Sequence, residues 1–126
     1  MHRRIKRLTK SFHYATKGIR HALKTQQNIW IHFFIGSLIV LLAIFLGFDL
    51  TKLSIIVLTI ALVLVLEMIN TVAETIVDLA APEFSELGRI AKDVAAGAVL
   101  IAALFSIIIG IMLFALPLFK LFFPTY

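Results

Sequence analysis

The chain is expected to be an all-α integral membrane protein: an N-terminal amphipathic interfacial helix followed by three transmembrane helices. Three observations predict this. Hydrophobic residues make up 61% of the 126 positions, far above the share in water-soluble domains. They concentrate in three stretches long enough to cross a bilayer. Charge is segregated: of the 12 Lys and Arg, eight fall in the first 24 residues, and no Asp or Glu precedes Asp49. At this length the chain is at most one domain, residues 1–126.

Residues 1–28 read as the interfacial helix. Ile5, Leu8, Phe12, Ala15, Ile19 and Ala22 recur at steps of three and four, and Arg3, Arg4, Lys6, Arg7, Lys10, Lys17, Arg20 and Lys24 take the other faces. A basic start could mean nucleic acid or an anionic membrane surface. The apolar remainder decides for the membrane, with no nucleic-acid partner. Each cation near an anionic surface is worth about 1 kcal/mol. The absence of an A-x-A-like site and the length of the following apolar run argue against a cleaved signal peptide.

Residues 29–48 form the first span, about 30 Å of helix. Trp30 and His32 stand at its inner end, where amphipathic rings anchor; His32 reads as an interfacial ring, with ligation as the other reading. Residues 47–52 make a short turn, so the second span, 53–79, returns antiparallel. The basic N-terminus places that turn outside and the chain's N-terminus in the cytoplasm. The second span is about 40 Å long against a slab of roughly 30 Å, so its last turns should project into the cytoplasmic interface. A polar connection carrying Pro82, Glu83, Ser85, Glu86 and Gly88 leads to the third span, 90–116. Its line Ala98–Ala102–Ser106–Gly110 is a small-residue seam of the kind that lets helices approach in lipid. Pro117 is expected to end or kink the helix, and the aromatic tail 119–126 to lie at the outer interface.

The site candidates cluster on the second span. Glu67, Asn70, Glu74 and Asp78 are spaced by three, four and four residues, which puts them within roughly 80° of arc. Carboxylates in a spanning segment are costly and mark function by default. Surface charges on a cytoplasmic extension would explain Asp78, but seven Leu, Val, Ile or Ala residues in a row precede Glu67. By its distance along the helix, Glu67 is still inside the slab, while Glu74 and Asp78 are at or beyond its inner boundary. That gradient suits chemistry at a lipid headgroup. Glu67 is placed to accept a proton from a lipid hydroxyl. Glu74 could ligate Mg²⁺, which prefers one or two carboxylates plus phosphate oxygens. Lys92 could neutralise a phosphate. These are parts of a phosphoryl-transfer site. The six glycines form neither a P-loop nor a G-x-G-x-x-G, HExxH and G-x-S-x-G are absent, and the lack of cysteine excludes disulfides and thiolate metal sites. On composition and spacing alone, a proton- or ion-handling subunit accounts for the acids almost as well.

The run E-M-I-N-T-V-A-E-T-I-V-D at 67–78, followed by A-K-D-V-A-A-G-A-V-L at 91–100, resembles the small prokaryotic diacylglycerol kinase family, which includes undecaprenol kinases. F-x-Y-A-x-K-G-I at 12–19 and N-x-x-x-H at 28–32 extend the resemblance over almost the whole chain. It implies a homotrimeric kinase of the bacterial inner or plasma membrane that moves the γ-phosphate of MgATP onto the hydroxyl of undecaprenol or diacylglycerol. It further implies Glu67 as general base and Glu74 as a ligand of the metal on ATP. Lys92 and Asp93, with Arg7 and Tyr14 from the first helix, would hold the nucleotide. The loop Glu83, Phe84 and Ser85 would border the adenosine, and Asn70, Asp78 and Ala96 would support the site or the substrate. Where the family carries a second metal-binding glutamate, in E-x-N-x-x-x-H, this chain has Gln26. An amide carbonyl can ligate Mg²⁺ but brings no charge. Ser85 stands where His is common and Ala96 where Ser is common.

Overall fold

The computed structural model describes residues 2–123, with side chains described for 5–123. It is all helix: α1 His2–Thr25, α2 Gln27–Phe45, α3 Leu50–Ala80 and α4 Glu86–Phe122. The last three are each long and apolar enough to cross a membrane. Residues 124–126 of the expected aromatic tail and the side chains of Arg3 and Arg4 lie outside the described residues.

The amphipathic α1 leaves most of its length uncovered. Ile5, Leu8, Phe12 and Ile19 are exposed, and only near its end does Ala22 become buried. The helix stops earlier than residue 28 because Gln26 is extended (φ −109°, ψ 107°), although its backbone N–H still reaches the Ala22 carbonyl at 2.9 Å. Trp30 donates its indole N–H to the Leu23 carbonyl at 2.7 Å, which satisfies one of the free carbonyls at the end of α1 and closes the corner. So Trp30, expected as an interfacial anchor, also ties two helices together.

α2 and α3 form an antiparallel hairpin. Its turn begins sooner than expected, after Phe45. Gly47 takes φ +69°, a conformation that favours glycine, and its N–H and that of Phe48 bond back to Ile44 and Ala43, each at 3.0 Å. α3 starts three residues before the expected 53 because Asp49 caps it, accepting from the Lys52 N–H at 2.9 Å. That bond, with the Lys52 charge, holds the Asp49 carboxyl below its ordinary value.

α4 is longer than the expected 90–116 at both ends. Ser85 caps its start, accepting from the Gly88 N–H at 3.2 Å. Pro117 does not end it. Proline deletes one backbone bond, but Leu113 and Leu118 on either side both pack against the buried cluster of Ala43, Phe48, Ile56 and Phe114. Packing therefore carries the helix across the proline. Phe48 and Phe114 stack with centroids 4.8 Å apart in this cluster, which locks α2, α3 and α4 together at the turn end.

The close approach in the bundle is at Gly36 of α2, where a Cβ would lie 2.8 Å from Ile60 of α3. The expected seam on α4 behaves otherwise: Ala102 is buried, but Ser106 and Gly110 line an open cavity of about 610 Å³ between α2, α3 and α4. Its wall is almost wholly apolar, with His32 among the residues that line it. Large hydrophobic side chains elsewhere on all three long helices face outward, as suits helices solvated by lipid.

Candidate active site

The expected face of α3 is where the polar groups gather. Glu67, Asn70 and Thr71 are buried on a helix whose other buried residues are Ile56 and Val63. Glu67 is only 3% exposed. The Thr71 hydroxyl donates to the Glu67 backbone carbonyl at 3.0 Å, leaving the carboxylate untouched. One turn on, Asn70 donates to Glu74 Oε1 at 3.0 Å. Glu74 Oε2 accepts from the Gln26 amide at 3.3 Å across the helix pair. Gln26 can reach because its extended backbone interrupts the chain there and its side chain does not cap α2. Asn70 Oδ1 is buried with no hydrogen-bond partner among the described residues.

That orphaned oxygen, the Glu74 carboxylate and the amide oxygen of Gln26 are hard donors of the type Mg²⁺ takes. Among the described residues no three His, Asp or Glu side chains gather as a full metal cage would. Such donors would suit a cation shared with phosphate oxygens or water, not one caged by the protein alone.

At the α1 end of the bundle, Lys92 of α4 pairs with Asp78 of α3 at 2.5 Å. Arg89 bonds Glu86 at 2.6 Å and Asp93 at 2.7 Å. A cavity of about 320 Å³ opens beside them, lined by Asp78, Glu83, Phe84, Ser85, Arg89 and Lys92 among others. It sits at the N-terminus of α4, where free backbone N–H groups and the helix dipole favour an anion. Gly88 lets the loop close over α3, since a Cβ there would meet Val77 at 3.0 Å.

The structure thus joins Asn70, Glu74 and Gln26 by hydrogen bonds, sets the Glu67 carboxylate beside His32, and lines one cavity with Asp78, Glu83, Phe84, Ser85 and Lys92. Asp93 is exposed and held by Arg89. Ala96 is exposed and joins none of these sets. Arg7 and Tyr14 are exposed on α1, with no side-chain bond to any of them among the described residues. Two partners escaped the sequence reading. His32 lies with Nε2 3.4 Å from Glu67 Oε1, two residues separated by more than a full span, so no local pattern joins them. Arg89 bonds Glu86 and Asp93, and its spacing of three and four from them is an ordinary helical pairing signal that could have found it.

The family model described as prokaryotic diacylglycerol kinase matches residues 13–114. The chain is 42% identical over 112 residues to a diacylglycerol kinase of Synechocystis, covering 88% of this chain and 64% of that relative. It is 34% identical over 110 residues to an undecaprenol kinase of Bacillus subtilis, covering 87% of this chain and 89% of the other. A diacylglycerol kinase of Escherichia coli is 30% identical over 102 residues, with 81% of this chain and 84% of the relative covered. The chain therefore spans just under two thirds of the Synechocystis relative and most of the other two. The chain belongs to the prokaryotic diacylglycerol kinase family, a family of lipid kinases.

Proposed function

We propose that this protein is an ATP-dependent lipid kinase of a bacterial inner or plasma membrane, with its N-terminus in the cytoplasm. It transfers the γ-phosphate of ATP to the hydroxyl of undecaprenol or diacylglycerol. The observation that carries the reading is the depth ordering on α3: a buried carboxylate at Glu67, then Glu74 tied to Gln26 and Asn70, then Asp78 beside the anion-suited cavity.

In this reading the hydroxyl oxygen forms a bond to the γ-phosphorus as the bond to the β-phosphate bridging oxygen breaks, and ADP leaves. Glu67 takes the hydroxyl proton. The acceptor stays in the bilayer, and its hydroxyl has to reach Glu67 at the depth where headgroup and hydrocarbon meet. Lys92 exchanges Asp78 for a phosphate, a swap open to a half-exposed ammonium. The N-terminus of α4 and Arg89 add positive potential at the same place. Phe84 and Ser85 border the base and ribose, and Arg7 and Tyr14 close over the nucleotide from α1. Glu74, with Gln26 and Asn70 Oδ1, would hold Mg²⁺. When bound, the ion neutralises phosphate charge and fixes the polyphosphate. The working unit is a homotrimer, consistent with long helices whose apolar faces this single chain leaves uncovered.

The competing ion-handling reading needs a polar route past Glu67. Beyond it lies the apolar cavity, where the hydroxyls of Thr59 and Ser106 are spent on Ile55 and Ala102 of their own helices. That favours the kinase. The test is a panel of lipid alcohols with γ-labelled ATP and extraction of the product. Labelled phosphate in undecaprenyl phosphate or phosphatidate, abolished in Glu67→Gln, supports the reading; absence of any lipid-stimulated ATP turnover overturns it.

A further inference from the structure

Glu67 has a requirement that its own helix does not meet. A base must be ionised, and an ionised carboxylate withdrawn into an apolar slab is costly unless a donor faces it. The polar neighbours are committed elsewhere. Thr71 donates to the Glu67 backbone, and Asn70 and Gln26 both donate to Glu74. On α4, Lys92 holds Asp78, while Arg89 holds Glu86 and Asp93. Among the described residues no charged side chain of α1 or α4 stands against Glu67.

The group that does is His32. Its Nε2 is 3.4 Å from Glu67 Oε1, and its side chain is 28% exposed. That separation is longer than a formed hydrogen bond, the looseness usual at a catalytic pair before substrate closes the site. His32 also lines the cavity between α2, α3 and α4. The only other side chains with polar atoms lining it, Thr59 and Ser106, donate to carbonyls of their own helices at 2.7 and 2.8 Å. Among the described residues, the polar side chain lining that cavity and left uncommitted is therefore the imidazole that faces Glu67.

We propose that His32 is the positioning residue of Glu67: its Nε2–H donates to Oε1, holds the carboxylate in one orientation, and leaves Oε2 free for the acceptor hydroxyl. The proposal rests on the reading of Glu67 as the base. His32 is not itself the base in this assignment, because its near nitrogen is the one that carries the proton toward the carboxylate.

The test compares wild type, His32→Leu, His32→Gln and Glu67→Gln in lipid bicelles, measuring kcat and KM against pH. His32→Leu should lower kcat at pH 7 by about 10- to 100-fold with KM for ATP unchanged. The pH profile of kcat should differ from that of wild type, because the group facing Glu67 has been removed. His32→Gln, which retains an N–H donor, should recover most of the rate. Wild-type kcat and profile in His32→Leu, with Glu67→Gln inactive, would overturn the proposal and leave the base intact. Equal losses in Leu and Gln with an unmoved profile would also overturn it, as a packing effect. Full turnover in Glu67→Gln would remove the base reading, and the proposal with it. Should His32→Leu fail to fold, the His32 imidazole NMR signals decide: they should shift between wild type and Glu67→Gln, and unchanged signals would overturn the proposal.

Discussion

The two ends of the α2–α3–α4 bundle are built on opposite principles. At the turn end, Ala43, Phe48, Ile56 and Phe114 form an apolar cluster, Gly47 and Asp49 satisfy the chain reversal, and helices meet with aromatic contact. At the α1 end the contacts are polar and some are loose: 3.3 Å from Gln26 to Glu74, 3.4 Å from His32 to Glu67, and an Asn70 oxygen with no partner among the described residues. A buried polar group left unmatched costs stability, so the first region holds the fold and the second gives up part of that stability. Long polar contacts and an unmatched acceptor mark the α1 end as the region where local rules for stability are broken.

Substitutions at the two ends should separate activity from stability. The largest effect is expected at Glu67→Gln, which should cut kcat by about 100-fold or more while leaving thermal stability in detergent unchanged or raised. A sharp fall in Tm with activity kept would make Glu67 structural and break the comparison. Phe114→Ala at the other end should do the reverse, costing about 3 kcal/mol of stability with KM for ATP unchanged in the surviving folded protein; thermal melting followed by circular dichroism measures it. Gly47→Val should cost roughly 1 kcal/mol, since a branched side chain resists φ +69°. Gln26→Glu restores a charge beside Glu74 and should lower the Mg²⁺ concentration needed for half-maximal rate; an unchanged Mg²⁺ dependence would mean that Gln26 does not face the cation.

The smallest effect concerns pH. The Asp49 carboxyl sits below its ordinary value of 3.8 because the Lys52 N–H bonds it. Its cap should be fully in place above that value and lost as pH falls through the lowered one. In Asp49→Asn this increment of acid sensitivity should vanish, and matching acid melts of the two proteins would show that the cap carries none of it.

Much of the fold was legible because membrane helices announce themselves locally. Apolar runs of bilayer length, a basic start and a turn with Gly47 fix the element count and order without tertiary knowledge. The boundaries were less legible because short caps at the helix starts and packing across the bundle decide them. Asp49 and Ser85 extend α3 and α4 by capping them, and Pro117 is overridden by Leu113 and Leu118 packing on either side. Glu67, Asn70, Glu74 and Asp78 were legible as one face from spacing and Lys92 as a cation able to neutralise a phosphate, while Gln26 entered through family resemblance. His32 was read as an interfacial ring, since an imidazole near a helix end carries no local sign of what it faces.

By itself, then, the sequence determined the three spans, the amphipathic α1 and the acidic face of α3, because helical periodicity and the cost of burying charge act along a single segment. Only the tertiary structure decided which groups meet across segments: Gln26 with Glu74, Lys92 with Asp78, His32 with Glu67. Those meetings depend on how α2 and α4 register against α3, set by the close approach at Gly36 and the Phe48–Phe114 stack far from the site.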